Sequence, residues 1–229
     1  MPAALPTTLA PGAEVRVGTA SVRRLADGTV EGCDAHGCSR VRVPPSVEAR
    51  VLPAPASRRL LRVDYVYVEF EEPIHASPGD LIWFHAPLEL EVTLGGVPAL
   101  RLSTSRVKYT LVGDIVDGVI CRYHKSPVYL GDPPPRMEGL ALAAVEVDGD
   151  PGILPGAGVG LAVSTLYRGE DGSIYYSLQR LEIEGGTATL RSTRRPPRRG
   201  LVEVRRPPRR RPALHQALQP LILRLVEAG

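Results

Sequence analysis

The sequence predicts an all-β fold, an antiparallel β-sandwich with a closed barrel as the alternative, on three observations. Short apolar runs with period-two alternation recur about every ten residues. Glycine and proline each occur 23 times, which favours many turns over long helices. Helical periodicity is missing apart from one short C-terminal stretch. Chains with this pattern fold as stacked antiparallel sheets.

Eight short strands are predicted in the first 102 residues, separated by turn signals. Asp27-Gly28 and Gly95-Gly96 indicate hairpins, because glycine adopts the positive φ of tight turns without strain. Pro44-Pro45 and Ser77–Asp80 interrupt strand pairing, and Gly32–Gly37 is predicted as a loop. The predicted strands are Glu14–Val17, Ser21–Arg24, Arg40–Val43, Val47–Leu52, Leu61–Phe70, Leu81–His85, Leu88–Leu94 and Ala99–Leu102.

Two of these strands differ in their side-chain patterns. Leu61–Phe70 begins with polar residues on one face and becomes apolar on both, which is typical of a strand entering a sandwich interior. In Leu88–Leu94, leucine and valine alternate with Glu89, Glu91 and Thr93. This alternation predicts one buried face and one solvated face.

The second half continues the same alternation. Asp171-Gly172 and Gly185-Gly186 predict hairpins, Gly152–Gly160 is predicted as a flexible connector, and Pro212–Leu218 as a short helix with proline in its first turn. We therefore expect one β-rich domain over residues 1–229, whose last part, 212–229, returns to the body. The predicted strands are Val107–Val112, Val119–Tyr123, Leu140–Val147, Val159–Tyr167, Ile174–Ile183, Thr187–Leu190 and Leu221–Val226.

Composition bounds the class of protein and its compartment. Asparagine is absent and arginine supplies 26 of the 28 basic residues, a bias that fits a thermophile or GC-rich coding. The sequence contains no run of eighteen apolar residues, so no membrane-spanning helix is predicted, and the N-terminus shows no signal-peptide pattern. Three cysteines are too few for a secreted disulfide framework. We expect a cytoplasmic protein with reduced thiols.

Charge is divided unevenly along the chain. Residues 1–190 carry 17 basic and 23 acidic groups, and residues 191–229 carry 11 basic and 2 acidic groups. An Arg/Pro-rich segment, 191–211, contains the same Arg-Arg-Pro-Pro-Arg-Arg run twice. It suits an anionic partner, a protein or a nucleic acid, although solvated connections or a clasp on the acidic body are equally open. The candidate contact residues are Arg194, Arg195, Arg198, Arg199, Arg205, Arg206, Arg209 and Arg210.

The hairpin over 107–129 concentrates titratable side chains. It holds the only two lysines of the chain, Lys108 and Lys125. Lysine guards against strand addition at sheet edges, and its compact ammonium also binds anions. Candidate ligand-binding residues are Lys108, Tyr109, Arg122, Tyr123 and Lys125; candidate catalytic residues are Lys108, Asp117, Arg122 and His124.

The same hairpin resembles an archaeal family catalogued as domain of unknown function 432. The resemblance covers about residues 64–130, and it implies an archaeal source but no activity, cofactor or site residue. The Arg/Pro blocks depart from the family pattern. The segments that carry the resemblance are Tyr65–Pro73, Ala86–Leu90, Lys108–Gly113, Asp117–Tyr123 and Lys125–Tyr129.

Cofactor and metal motifs are weak. In Gly156–Gly160 a leucine, Leu161, stands where a dinucleotide fingerprint has its third glycine, and a strand is predicted to follow instead of a helix. We predict no cofactor. Cys33, His36 and Cys38 are one ligand short of a structural zinc site, so a metal is not favoured over a solvated turn.

These observations favour a non-catalytic binding or scaffold module that contacts its partner through the hairpin and the Arg/Pro segment. The first alternative is a nucleic-acid-associated protein that acts through the Arg/Pro segment. The second is a small-molecule enzyme centred on the hairpin, which requires its candidate catalytic side chains to converge. Whether the protein is an enzyme stays open, with the balance toward a binding role.

Overall fold

A computed structural model describes residues 5–56, 63–113, 118–161, 164–207 and 221–224, and in these ranges all regular secondary structure is β. The all-β prediction is confirmed. The predicted helix at 212–218 lies outside the described residues. The strands are β1 Thr7–Thr8, β2 Glu14–Val17, β3 Ala20–Arg24, β4 Thr29–Asp34, β5 Gly37–Arg42, β6 Ala49–Pro55, β7 Tyr65–Ala76, β8 Leu81–Leu94, β9 Val97–Ser103, β10 Lys108–Val112, β11 Val119–Ser126, β12 Val128–Leu130, β13 Leu140–Gly149, β14 Gly152–Gly160, β15 Leu166–Arg168, β16 Ile174–Tyr176, β17 Gln179–Glu184, β18 Thr187–Ser192, β19 Val202–Arg205 and β20 Leu221–Arg224.

The strands form three sheets, one of which curls into a half-barrel. The largest has twelve strands and follows the order β1-β6-β8-β13-β16-β15-β19, with the other five branching from it. A second sheet has the order β10-β11-β7-β14, and a third is the N-terminal meander β2-β3-β4-β5. Pairing is mostly antiparallel, and β7–β11, β13–β16 and β13–β17 are parallel. Across the described ranges, no helix is both long and apolar enough to cross a membrane.

Strand β8 organises the largest sheet. It runs for 14 residues through Pro87, where two separate strands were predicted. It pairs with β6, β9, β12 and β13 along different parts of its length. Almost every side chain on it is buried, including Glu89 and Glu91. The predicted solvated face is therefore wrong, because other strands and their arginines cover it.

The second sheet packs one face against β8 to form the main core. Val66, Val68 and Phe70 of β7 are buried there, and the Phe70 ring lies 5.8 Å from that of Phe84 on β8. These residues share one face because they alternate along the strand. A smaller cluster around Trp83 and four further buried residues lies apart from this core. It supports the chain that follows β18.

Residues Gly152–Gly160 form a strand, not the flexible connector that was predicted. This strand, β14, pairs with β7 over its whole length and places Gly156, Gly158 and Gly160 opposite Glu69, Tyr67 and Tyr65. A Cβ at Gly156 would lie 2.8 Å from the Tyr67 hydroxyl. Gly156 is therefore required by the close approach of the Val68 carbonyl and the Tyr67 ring, and Gly160 by that of the Ser192 hydroxyl, which sequence periodicity alone does not reveal.

The predicted loop at 32–37 is also wrong. β4 and β5 form a tight hairpin in which Asp34 pairs with Gly37 across the turn. Gly32 lies inside β4, and a Cβ there would meet the Leu102 side chain at 2.9 Å. Glycine in this strand thus marks close packing against β9, not a break in pairing.

The N-terminal meander docks onto the body through a glycine contact. Gly18, in the β2–β3 turn, has φ +56°, and a Cβ on it would lie 2.1 Å from the Thr104 carbonyl oxygen and 2.9 Å from the Gly139 Cα. We expect Gly18→Ala to lower the free energy of unfolding by about 2 kcal/mol more than Gly12→Ala, measured by chemical denaturation. Gly12 is the matched control, because its φ is +80° but nothing lies within 4 Å of its Cβ position. Equal losses in the two variants would contradict a close docking contact.

The chain after β18 returns twice to the largest sheet. β19 pairs with β15 in an antiparallel register, and β20 pairs with β18. β19 follows the first Arg-Arg-Pro-Pro-Arg-Arg run and ends at Arg205, the first residue of the second run, where no strand was predicted. The Arg/Pro segment is therefore attached to the body on both sides of its first run.

Candidate binding surfaces

The β10–β11 hairpin presents different side chains on its two faces. Lys108 pairs with Tyr123 and Tyr109 pairs with Arg122, and directly paired residues share a face. Lys108 and Tyr123 are thus on one face, while Arg122 and His124 are on the other. Asp117 lies outside the described residues. Among the described candidates for catalysis, Lys108 does not join Arg122 and His124.

Arg122 is held in a buried ion pair. Its side chain is 1% exposed, and its Nη1 lies 2.9 Å from Oε1 of Glu89, whose side chain is 2% exposed. The other oxygen of Glu89 accepts a hydrogen bond from Arg101, and Arg101 also donates to the Pro55 carbonyl. Arg122 therefore joins the second sheet to β8, instead of facing solvent as a ligand-binding residue.

Two histidines lie on the same side as this ion pair. The pKa of His124 is lowered to about 4, mainly by burial and to a smaller extent by the charges of His85, Arg122 and Lys108. His85 is almost fully buried; burial also lowers its pKa, and its Nε2 lies 3.0 Å from the Pro135 carbonyl oxygen. Both imidazoles are neutral at physiological pH, because a charged ring would lose hydration there.

The opposite face of the hairpin carries a tyrosine–carboxylate pair. The Tyr123 hydroxyl donates a 3.0 Å hydrogen bond to Glu69, and desolvation and this contact raise the pKa of Tyr123. Lys125 is exposed and pairs in register with Glu69. Tyr109 is 41% exposed on the Arg122 face. The predicted ligand-binding residues are therefore divided between two faces.

The first arginine run is fixed to the body through its backbone. The Tyr167 hydroxyl donates to the Arg194 carbonyl at 2.6 Å, and the Leu178 amide donates to the Arg195 carbonyl at 2.8 Å. Thr193 adds a hydrogen bond to the Leu178 carbonyl, and Leu201 packs on the Trp83 cluster. The backbone at the start of this run is thus held by the body of the protein.

The two arginine runs differ in what their guanidinium groups contact. In the first, Arg194, Arg195, Arg198 and Arg199 are exposed. Arg198 also lies over the Tyr175 ring, 5.0 Å from its centroid. In the second run, Arg205 lies 2.7 Å from Glu91 and Arg206 lies 2.8 Å from Glu203; Arg209 and Arg210 are outside the described residues.

The difference between the two runs bears on whether the Arg/Pro segment is a clasp on the acidic body or an exposed basic surface. No described carboxylate lies within ion-pair distance of Arg194, Arg195, Arg198 or Arg199. Arg205 of the second run instead forms a clasp on the acidic body, because Glu91 belongs to β8, whereas Arg206 pairs with Glu203 of its own segment. We call the four exposed arginines of the first run the arginine surface.

The weak metal-ligand candidates, Cys33, His36 and Cys38, lie on the β4–β5 hairpin, where the two cysteines are oxidised. Cys33 and Cys38 form a disulfide, contrary to the expectation of reduced thiols, because their β4 and β5 positions face each other. The third thiol, Cys121, is buried, and burial raises its pKa to about 12. Within the described ranges, no three His, Cys, Asp or Glu side chains are grouped to hold a metal ion.

Sequence reasoning missed Glu89, Arg101 and His85. Glu89 belongs to the predicted strand Leu88–Leu94, which was expected to have a solvated face, and His85 belongs to the predicted strand Leu81–His85, to which no role was given. Both lie on β8, and Arg101 lies on the neighbouring strand β9. A signal existed, since acidic residues in a strongly apolar strand need positive partners if both faces are covered. The sequence does not show that both faces are covered.

Comparisons with known proteins identify the family. A model of the family described as "Protein of unknown function (DUF432)" matches residues 16–221. No curated protein and no solved structure matches the chain. Because the matched range spans most of the chain and includes both the hairpin and the arginine surface, this protein belongs to that family of unknown function.

Proposed function

We propose that this protein is a non-catalytic binding module whose arginine surface contacts an anionic partner. The observation that carries the proposal is the contrast between a backbone held at Arg194 and Arg195 and the exposed side chains of Arg194, Arg195, Arg198 and Arg199. Hydrogen bonds hold the carbonyls of Arg194 and Arg195, while Arg194, Arg195 and Arg199 are exposed and the exposed Arg198 lies over the Tyr175 ring. A site arranged in this way loses little backbone entropy on binding.

The chemistry of the surface favours oxygen anions as ligands. Guanidinium groups donate paired hydrogen bonds to carboxylates and phosphates and stay charged at all physiological pH values. Arg198 is further oriented by the Tyr175 ring beneath it, which is itself buried. A buried ring does not stack on a nucleic-acid base, so contact with the partner is through charge and hydrogen bonds.

The separation of the hairpin candidates supports a binding role over an enzyme. Lys108 lies on the face opposite to Arg122 and His124, and Arg122 forms a buried ion pair with Glu89. A catalytic centre needs its acid, base and anion-binding groups within reach of one substrate. Tyr109 and Lys125 are exposed on opposite faces of the hairpin, and each suits contact with a partner surface.

The proposal is tested by titrating the full chain with a fluorescent DNA duplex and, separately, with fluorescent poly-glutamate, over a range of salt concentrations. We expect binding to at least one polyanion that weakens steeply as salt rises. Changing Arg194, Arg195 and Arg199 together to serine is expected to abolish most of it. For the duplex, the slope of log affinity against log salt should fall by about 3.

A matched variant separates this surface from net charge. Arg23, Arg42 and Arg50 are exposed on β3, β5 and β6, so their combined change to serine removes the same three charges elsewhere. We expect this control to bind like the unchanged chain. Equal losses in both triple variants, or no binding to either polyanion, would refute the arginine surface as the binding site. Binding to only one polyanion identifies the partner class.

A further inference from the structure

A second feature, unrelated to the arginine surface, lies on the N-terminal meander. Cys33 and Cys38 are directly paired on β4 and β5, with their Cα atoms 4.0 Å apart, and they form a disulfide. Cys38 is exposed and Cys33 is half-buried. A reductant in solution therefore has access to this bond, unlike a disulfide in a core.

The hairpin keeps its shape through contacts that do not involve sulfur. β4 and β5 share six paired positions. The Asp34 carboxylate accepts hydrogen bonds from the Ser103 amide at 2.9 Å and from the His36 amide at 2.8 Å. Gly32 packs closely against Leu102 of β9. Cleavage of the disulfide thus leaves two thiols facing each other on a preformed scaffold.

We propose that reduction of this disulfide creates a binding site for a thiophilic metal ion, Cu(I), held by the thiolates of Cys33 and Cys38. A dithiol reductant supplies two electrons and two protons to the sulfur–sulfur bond and becomes a disulfide itself. Cu(I) then displaces the two thiol protons and forms two copper–sulfur bonds without a change in its own oxidation state. Oxidation to the disulfide removes both ligands, so the redox state controls the site.

The ligand set distinguishes copper from zinc. A structural zinc site needs four converging ligands, and the described residues place no such group around the hairpin. Soft thiolates select Cu(I), which is stable with only two of them. Rotation of the cysteine side chains separates the sulfurs enough to admit the ion, since χ1 has several staggered positions. The remaining thiol, Cys121, does not contribute, because it is buried and stays protonated.

The experiment uses the full chain, reduced with a phosphine under anaerobic conditions and titrated with Cu(I) against the coloured chelator bicinchoninate. We expect the reduced chain to take one equivalent of Cu(I) from the chelator and the oxidised chain to take none. Cys33→Ser and Cys38→Ser should each lose this uptake. Cys121→Ala is the matched control and should keep it.

Two results would overturn the proposal. One is that the reduced chain takes no copper from the chelator although free-thiol titration confirms that Cys33 and Cys38 are reduced. The other is that the Cys33→Ser chain takes as much copper as the unchanged chain. Circular dichroism of each variant checks that the sheets are intact, and because the two serine variants differ from the chain by one sulfur each, they test the ligands separately.

Discussion

Glu89→Gln is expected to lower the free energy of unfolding by about 3–5 kcal/mol, the largest effect of any single change considered for this protein. The carboxylate of Glu89 contacts the guanidinium groups of Arg122 and Arg101, and its own side chain is 2% exposed. The amide of glutamine has nearly the same shape but no charge. The buried guanidinium group of Arg122 then loses its contact with the negative charge of Glu89, a loss that water does not make up at this depth. Urea denaturation at neutral pH measures the difference.

An exposed ion pair provides the control for this prediction. Glu182 of β17 lies 3.0 Å from Arg191, and both side chains are more than one third exposed. Glu182→Gln should change stability by less than about 1 kcal/mol, since water replaces the lost interaction. A double variant, Glu89→Leu with Arg122→Met, should lose less stability than the two single changes added together. Additive losses would show that Glu89 and Arg122 do not act as a pair.

Acidification is expected to destabilise the protein between about pH 6.5 and pH 4, mainly through His124. The pKa of His124 falls from 6.5 to about 4 on folding, so in this window the unfolded chain binds a proton that the folded chain does not. The contribution of His124 to stability is complete above pH 6.5 and is lost as pH falls toward 4. The pKa shift corresponds to a loss of at most about 3 kcal/mol in the free energy of unfolding, and the actual loss is smaller because the ring is partly exposed. The lowered pKa of His85 adds in the same direction.

His124→Gln removes this titration and is expected to flatten the stability profile over the same pH window. The measurement is a series of urea denaturations from pH 7.5 to about pH 4. His75 is exposed on β7, so His75→Gln is the matched control and should leave the profile unchanged. A profile for His124→Gln that still falls as steeply as that of the unchanged chain would show that other groups cause the acid sensitivity.

Both predictions concern charges at the contact between the second sheet and β8. Glu89 and His85 belong to β8, while Arg122 and His124 belong to β11. The His85 amide of β8 also donates a 2.9 Å hydrogen bond to the Ser126 hydroxyl of β11. The β10–β11 hairpin, which carries the candidate site residues, therefore also connects the second sheet to β8. Its buried polar groups stabilise the packing of the second sheet against β8.

Local patterns were sufficient for most strands but not for their burial. The predicted strands Glu14–Val17 and Val107–Val112 are present as Glu14–Val17 and Lys108–Val112, because strand-forming residues between turn signals are visible within a few positions. The predictions fail at Gly32 and at Gly156–Gly160, where glycine meets a side chain of another strand. In both places a residue that usually breaks a strand was required by a neighbour distant in sequence.

The candidate site divides in the same way. The charge split and the repeated arginine runs are visible in the sequence, but which run is exposed is not. Arg205 is paired because Glu91 of β8 lies across from β19, and Arg194 is exposed because only its backbone is held. The Arg205–Glu91 ion pair joins residues more than a hundred positions apart, so no local pattern indicates it.

The sequence by itself determined that this protein is built from short strands, that its basic charge is concentrated near the C-terminus, and that a charged hairpin lies in its middle. These properties depend on the spacing and the kind of neighbouring residues. Only the tertiary structure decided that Arg122 is buried, that Cys33 meets Cys38 and that the first arginine run faces solvent. Burial and pairing depend on which strands meet, and that is set by the packing of the whole chain.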